Sequence, residues 1–307
     1  MAFGAFANTG AGPTEQTDSR SRRKSFVALF LLLPGVIYLA LTFVAPLIAL
    51  IATAFKEPGG TFDVGEYVYA FHWQNFTDAI SSYGEILGRT FVYAGLATLF
   101  ALIISYPLAY FIGVKLRRYP LWQALALILV IAPFFISFLL RTLAWKQIFS
   151  DEGIVVTTLQ AMSLLPSDAH VTGTPFMVVF GLTYNFIPFM CLPIYASLER
   201  LDLRYVEAAS DLYAPPVQRF LRIILPLSLP GVISGVLLVF IPASGDFINA
   251  AKEFLGSVQT TMAGNVINDL FFQSVYPISA AMSIILMVIT LIPVAIYVAR
   301  SGSEELL

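Results

Sequence analysis

Cysteine and histidine are almost missing from this 307-residue sequence, which contains Cys191, His72 and His170 and no others. One cysteine excludes an internal disulfide, and three scattered residues of these types do not form the spaced ligand set of a zinc site. A glycine-rich phosphate loop of the Walker type is also missing, so the chain has no visible means of hydrolysing ATP itself. We therefore predict a protein that is not an enzyme, binds no cofactor or metal of its own and has no nucleic-acid partner.

Charged residues are scarce as well. They make up 12% of the chain, whereas hydrophobic residues make up 58%, and the mean hydropathy is +0.81. A soluble protein carries about 25% charged residues. This composition excludes an ordinary soluble domain and indicates a membrane protein.

Six uncharged runs are each longer than the ~20 residues that a helix needs to cross the hydrocarbon. They are Val27–Phe55, Thr90–Val114, Tyr119–Leu140, Val171–Leu198, Ile223–Gly245 and Leu270–Ala299. A Lys or Arg in mid-helix would cost about 2.5–3.5 kcal/mol, so runs without charge predict membrane spans. Prolines inside them require neighbouring helices to satisfy the freed carbonyls, which implies a packed bundle. The sequence predicts an all-α, polytopic membrane protein with a six-span domain at 27–300, a disordered tail at 1–26 and a short end at 301–307.

The basic residues predict how the chain lies in the membrane. With the N-terminus in the cytoplasm, 12 of the 17 Lys and Arg residues fall on the inner side. The outer side holds the other five, namely Lys56, Arg89, Arg141, Lys146 and Lys252. Cytoplasmic segments carry an excess of Lys and Arg. We therefore expect both termini, and the connection at 199–222, to lie in the cytoplasm.

The connection at 199–222 leads into a recognisable motif. Its pattern is Glu-Ala-Ala, three residues, Gly, nine residues and Ile-x-Leu-Pro, with Tyr213 at the position of the glycine. This pattern resembles the EAA loop of the membrane subunits of bacterial ATP-driven importers, which docks onto a separate ATPase subunit. The resemblance implies a set of ATPase-coupling residues: Glu207, Ala208, Ala209, Asp211, Tyr213, Ile223, Leu225 and Pro226. The alternative for Glu207 is a surface ion pair with Arg204, worth a few tenths of a kcal/mol.

The prolines of the motif predict its local shape. Because Ala214 precedes a proline, a short helix that begins near 202–205 should end at about Tyr213. Pro215 or Pro216 can then stand in the first turn of a second helix. A left-handed backbone at Tyr213 would cost roughly 1–2 kcal/mol. We expect the two prolines to make the turn and Tyr213 to keep ordinary backbone angles.

Further segments resemble the PotB-type permease subunits of spermidine/putrescine importers, from about Val27 to Tyr297. These segments are 133–142, 144–146, 151–153, 188–190, 195–202, 245–247, 264–265 and 268–269, with departures at Leu143 and Val156. The resemblance implies the six-helix transmembrane domain of a type I ABC importer in the inner membrane of a bacterial cell. It also implies partners: a PotC-type second permease, a PotA-type ATPase dimer that holds ATP and Mg, and a PotD-type polyamine-binding protein.

Several residues are candidates for the substrate path, because polyamines are polycations that suit carboxylates, carbonyls and aromatic faces. They are Asp246, Asp269, Asp151 and Glu152 near the outer ends of spans, Tyr184 and Asn185 within the fourth span, and Trp145. The alternatives are helix caps for the acids and interhelical hydrogen bonds for Tyr184 and Asn185. Another small solute, such as an aminophosphonate, a metal or an anion, stays open as the substrate. A secondary transporter that works without ATP is a further alternative, although no ionisable residue lies in the six runs.

Overall fold

The computed structural model describes residues 31–59, 66–166 and 168–301, with backbone only at 297–301. The predicted tail at 1–26, the first residues of the first run and the end at 302–307 lie outside the described residues. The chain divides into two compact units, Met1–Ala52 and Thr53–Leu307.

The described part of the first unit is helical. Helix α1, Leu31–Ala54, begins there and ends two residues into the second unit. Its turn Ala40–Val44 is π-helical and ends two residues before Pro46, which has no N–H to donate to the preceding turn. The hydroxyl of Thr42 donates to the carbonyl of Tyr38 at 2.8 Å. The helix therefore continues past its proline, and the wider π-helical turn is the local change in its geometry.

The second unit consists of helices and one small hairpin. Strands β1, Lys56–Pro58, and β2, Tyr67–Tyr69, pair antiparallel with Glu57 opposite Val68. The helices are α2 Gln74–Arg118, α3 Pro120–Ile131, α4 Phe138–Ile148, α5 Ile154–Ala161, α6 Pro175–Glu199, α7 Arg204–Asp211, α8 Pro216–Ser244, α9 Ala263–Phe272 and α10 Tyr276–Ser301. Helix α2 ends in the π-helical turn Phe111–Lys115 and the 3-10 turn Leu116–Arg118, and the 3-10 turn Ala132–Phe135 follows α3.

The core of this unit forms where α2 and α8 pack on α6. Helix α2 presents a row of alanines with no exposed surface, Ala94, Ala97, Ala101 and Ala109. Small residues let helices approach closely, which is the main source of packing energy between helices in lipid. On α8, an added methyl group at Gly235 would come within 2.8 Å of the Met190 sulfur on α6.

Five described helices, α1, α2, α6, α8 and α10, are long and apolar enough to cross a membrane. The pair α3–α4 brings the number to six if it is counted as one bent span. The predicted all-α, polytopic class is confirmed.

Two of the uncharged runs do not form one helix each. The third run is not one helix, because α3 and α4 meet at a bend of 93° after the turn that holds Pro133, with Ile136 extended. The last run does not continue from Leu270, because α9 stops and Ser274 takes a positive φ of 63°. The N–H of Ser274 donates to Phe271 O, and the N–H of Val275 donates to Leu270 O. These two hydrogen bonds cap the C-terminus of α9. A hydropathy pattern does not indicate such a cap, because the residues on both sides of it are apolar.

Candidate functional site

Residues 199–222, the coupling segment, connect α6 to α8. The side chain of Asp202 accepts the N–H of Arg204 at 3.0 Å, which starts α7 at the expected place. Leu201 is buried, and Leu203 and Val206 pack on the core. The Arg117 guanidinium at the end of α2 donates to Leu201 O at 2.9 Å. One side of the coupling segment is therefore fixed to the helical bundle.

The end of α7 overturns the expectation for Tyr213. This residue has a φ of +57°, in the left-handed region. Its N–H bonds Ser210 O at 2.9 Å, and the N–H of Ala214 bonds Ala209 O at 3.0 Å. These two bonds form a Schellman motif, in which the residue after the cap is left-handed and usually glycine. The prolines do not replace this turn: Pro215 is extended after it, and Pro216 is the first residue of α8.

The other side of the coupling segment presents an exposed apolar patch with charges around it. The patch consists of Tyr205, Leu212, Tyr213, Val217 and Leu221, and Tyr213 is 95% exposed. Glu207, Ala208 and Asp211 are exposed beside it, and Ala209 is half-buried. Among the described residues no ion pair joins Glu207 to Arg204. A patch of this kind is typical of a protein interaction site.

The second half of the motif faces the bundle. Ile223 and Leu225 are half-buried, and Leu225 packs on the core, whereas Pro226 is exposed. The ring of Phe220, at the start of the π-helical turn 220–224, meets the ring of Tyr106 on α2 edge-on at 5.5 Å. Arg219 donates to the Ser210 hydroxyl and thereby joins α8 to α7. The motif thus combines an exposed half with an anchoring half.

A chain of buried polar side chains lies just after the end of α8 and joins two helices and a loop. The Asn185 amide on α6 donates to the Thr142 hydroxyl on α4 at 3.3 Å and to Asn249 Oδ1 at 3.2 Å. The Asn249 amide donates to Asp246 Oδ1 at 3.2 Å. We call these four residues the polar chain. The structure therefore brings two predicted path residues, Asp246 and Asn185, into one network through Asn249.

Asp246 also caps the backbone that follows α8. Its Oδ2 accepts the N–H of Asn249 at 2.8 Å, in a turn and not at the start of a helix. Burial raises the pKa of Asp246 to about 6, and the hydrogen bonds from Asn249 and the backbone oppose that rise. Gly264 of α9 lies so close that an added methyl group would come within 2.5 Å of Asp246 O. The carboxylate is held by the fold, and it is not open to solvent in this conformation.

The remaining path candidates lie on other elements. The rings of Trp145 and Tyr184 meet edge-on at 5.0 Å, next to Phe180. Asp269 lines a cavity of about 270 Å³ between the loop after α8 and α9, together with Phe247 and Glu253.

The last two candidates are exposed acids near the start of α5. Asp151 Oδ2 lies 2.9 Å from His170 Nδ1, and this hydrogen bond raises the pKa of His170. Glu152 is exposed.

Two residues in this region are missed by sequence reasoning. Arg141 counts only as an outer charge in the sequence, yet it is 8% exposed, and its Nε and Nη1 have no partner among the described residues. Asn249 is fully buried and carries the polar chain. The one signal for Arg141 is its position directly after an uncharged run. In the described residues no cluster of His, Cys, Asp or Glu could hold a metal ion.

A bundle of apolar helices with an exposed interaction segment between two of them defines a membrane subunit that works with a partner. The chain belongs to the family of binding-protein-dependent transport system inner membrane components, which it matches over residues 25–300. It is therefore a transport permease subunit of the inner membrane and not an enzyme.

The chain is also similar to individual permeases. It is 34% identical to the spermidine/putrescine transport system permease protein PotB of Haemophilus influenzae, over 89% of both chains. Its identity to the PotB protein of Escherichia coli is 34% as well, over 85% of this chain and 92% of the other. The family resemblance inferred from the motifs is confirmed.

Solved structures share the fold. A crystal structure of a bacterial ABC transporter involved in the import of the acidic polysaccharide alginate matches with a TM-score of 0.67. The match covers 93% of this chain and 98% of that chain at 19% identity. The predicted ABC importer transmembrane fold is confirmed by this likeness, which carries no information on the substrate.

Proposed function

We propose that this chain is the PotB-type permease of a polyamine importer and forms part of the path for spermidine and putrescine. The observation that carries the proposal is the similarity to PotB permeases, which extends over nearly the whole chain rather than over the motif alone. The partners that follow are a PotC-type second permease and a PotD-type binding protein that delivers the solute. Both termini of the chain lie in the cytoplasm in this proposal.

The coupling segment is the proposed docking site for a PotA-type ATPase dimer, which binds ATP and Mg. Its exposed half offers apolar contact through Tyr213 and Leu212 and a negative charge at Glu207. Both ends of the segment are fixed to the bundle: Arg117 donates a hydrogen bond to Leu201 O near the first end, and the Phe220 ring contacts the Tyr106 ring near the second. A surface that is exposed on one side and rigidly attached on the other can pass a movement of the partner to the helices. This supports Glu207, Ala208, Ala209, Asp211, Tyr213, Ile223, Leu225 and Pro226 as coupling residues.

The proposed path uses the polar chain and the aromatic rings near it. An ammonium group is stabilised by a carboxylate, by amide oxygens and by the faces of Trp and Tyr rings. Asp246, Asn185, Tyr184 and Trp145 provide these groups within and beside α6. Asp151, Glu152 and Asp269 are exposed acids that suit the attraction of a polycation at the outer face.

Three cations that the sequence places on the outer side are held by contacts with neutral groups of the fold. Arg89 donates two hydrogen bonds to Thr261 O, at 2.8 and 3.1 Å. Lys146 donates to Glu253 O at 2.8 Å, and the Lys56 ammonium lies 4.6 Å from the centre of the Tyr69 ring.

The test is ATP hydrolysis by the assembled complex in nanodiscs, with binding protein loaded with different solutes. We expect stimulation by carrier loaded with spermidine or putrescine and none by empty carrier. Stimulation only by carrier loaded with an aminophosphonate, a metal or an anion would replace the polyamine with that solute. Uptake into proteoliposomes at full rate without ATP would instead favour the secondary transporter.

A further inference from the structure

Helix α2 extends well beyond the hydrocarbon of a membrane on the side away from the coupling segment. It has 45 residues, whereas a helix needs ~20 to cross. Its uncharged part begins at Thr90, and the segment before it, 74–89, contains charged residues. This segment corresponds to ~24 Å of helix, or ~18 Å along the membrane normal at a tilt of about 40°. The other end of α2 is bonded to the coupling segment, because Arg117 donates to Leu201 O.

An exposed apolar patch lies at the projecting end of α2. It consists of four side chains that are each more than half exposed, and we call it the tip patch: Val68, Tyr69, Phe71 and Trp73. Polar groups border it, since the Lys56 ammonium lies over the Tyr69 ring and His72 Nδ1 lies 3.5 Å from Glu57 Oε2. Aromatic side chains with a polar rim are typical of the centre of a protein interface.

The tip patch is fixed by the fold and does not depend on a partner for its shape. Asn75 Nδ2 donates to Ala54 O at 2.9 Å and to Lys56 O at 2.8 Å. The rings of Phe55 and Phe71 are parallel, with their centres 4.7 Å apart. A preformed surface loses little conformational freedom on binding, which favours affinity.

Phe71 has an unusual backbone conformation for its residue type. Its φ of +48° lies in the left-handed region, which is strained for a bulky side chain. Its ring is 77% exposed, so burial within the chain does little to offset that strain. Tyr213 in the coupling segment combines the same backbone region with 95% exposure. Strained residues of this kind cluster at functional sites.

We propose that the tip patch is a docking surface for the extracytoplasmic binding protein. This inference rests on the proposed function, in which that protein delivers the solute on the side of the membrane opposite to the ATPase. The height of the patch decides between a soluble partner and lipid. Segment 74–89 raises it ~18–24 Å above the hydrocarbon, whereas the headgroup layer is ~5–8 Å thick on each side.

The test is a titration of the full complex in nanodiscs with the spermidine-loaded PotD-type binding protein, with ATP hydrolysis as the readout. Phe71→Gly should raise the concentration for half-maximal stimulation about tenfold, a loss typical of a central aromatic contact. Glycine accepts the left-handed backbone without strain, so the Tm and the basal hydrolysis rate should stay close to those of the unmodified complex. An unchanged half-maximal concentration would overturn the proposal.

Two matched variants control this measurement. Phe71→Tyr keeps an aromatic ring and should keep the half-maximal concentration of the unmodified complex. Trp122→Ala removes a ring that is 63% exposed in the first turn of α3, beyond the other end of α2, and should also leave it unchanged. An equal rise in Trp122→Ala would overturn the proposal. If Phe71→Gly does not assemble, Trp73→Ala is measured against the same criterion.

A fluorescent label distinguishes the other possible occupants of the tip patch. Tyr69→Cys is labelled with bimane in the assembled complex, with the cysteines of the other subunits replaced, since Cys191 is buried. We expect the label to react, to resist quenching by brominated lipids and to change its emission when the loaded binding protein is added. Quenching by brominated lipids without that change would assign the patch to the bilayer. Failure to label would assign it to the second permease, and either result would overturn the proposal.

The same titration separates this inference from the proposed function. If the loaded binding protein does not stimulate the unmodified complex, the proposed function fails. If it stimulates the unmodified complex and Phe71→Gly at the same concentrations, the proposed function stands and the docking surface alone is wrong.

Discussion

Replacement of Tyr213 by glycine should stabilise the chain, because the fold already holds this residue in a glycine conformation. The φ of +57° costs a non-glycine residue about 1–2 kcal/mol. The ring is 95% exposed, so its removal sacrifices little burial within the chain. Glycine loses more backbone freedom on folding, which offsets about 0.5–1 kcal/mol of the gain. The free energy of unfolding should therefore rise by roughly 0.5–1 kcal/mol.

The neighbouring residue provides the control. Leu212 is also highly exposed, but its φ of −84° is ordinary. Leu212→Gly relieves no strain and should destabilise the chain by about 0.5–1 kcal/mol. The assay is the thermal unfolding of both variants in the same detergent, where we expect Tm changes of opposite sign and of about 1–3 °C. Equal losses of Tm in the two variants would refute the reasoning about Tyr213.

Three further predictions concern coupling, pH and orientation. Glu207→Lys should leave the chain in the membrane but reduce the amount of ATPase subunit that is pulled down with it, because a reversed charge in an interface costs about 2–5 kcal/mol. Normal uptake by a fully assembled complex of this variant would contradict the prediction. The pKa of His170 is raised by Asp151, so the pair stabilises its loop below pH 6.5 and releases it as pH rises through the raised pKa. Hydrogen exchange at 168–174, corrected for intrinsic rates, should increase from about pH 6 to 8, and Asp151→Asn should remove that dependence. Ser19→Cys and Ser303→Cys should resist an impermeant thiol reagent on intact cells, and labelling of either would reverse the proposed orientation.

The sequence by itself was sufficient for the properties that depend on neighbouring residues. Long uncharged stretches indicate membrane helices, because about 20 apolar residues in a helix are enough to cross the hydrocarbon. The motif from Glu207 to Pro226 is read from spacing alone, and the geometry of proline predicted a second helix with Pro215 or Pro216 in its first turn, which begins at Pro216. These local signals were enough to identify the family.

Contacts between distant parts of the chain decided the rest. Tyr213 takes its left-handed angle because two backbone bonds close α7 there, against the intrinsic preference of its side chain. Asn185 forms hydrogen bonds with Thr142, which is 43 positions away in the sequence, and with Asn249, which is 64 positions away. No local sequence pattern could have predicted these contacts. From the sequence, Arg141 at the end of an apolar run is expected to be an exposed charge. In the structure it lies on α4, after the bend between α3 and α4, and it is buried. Burial and hydrogen-bond partners are properties of the packed helices, and only the tertiary structure determines them.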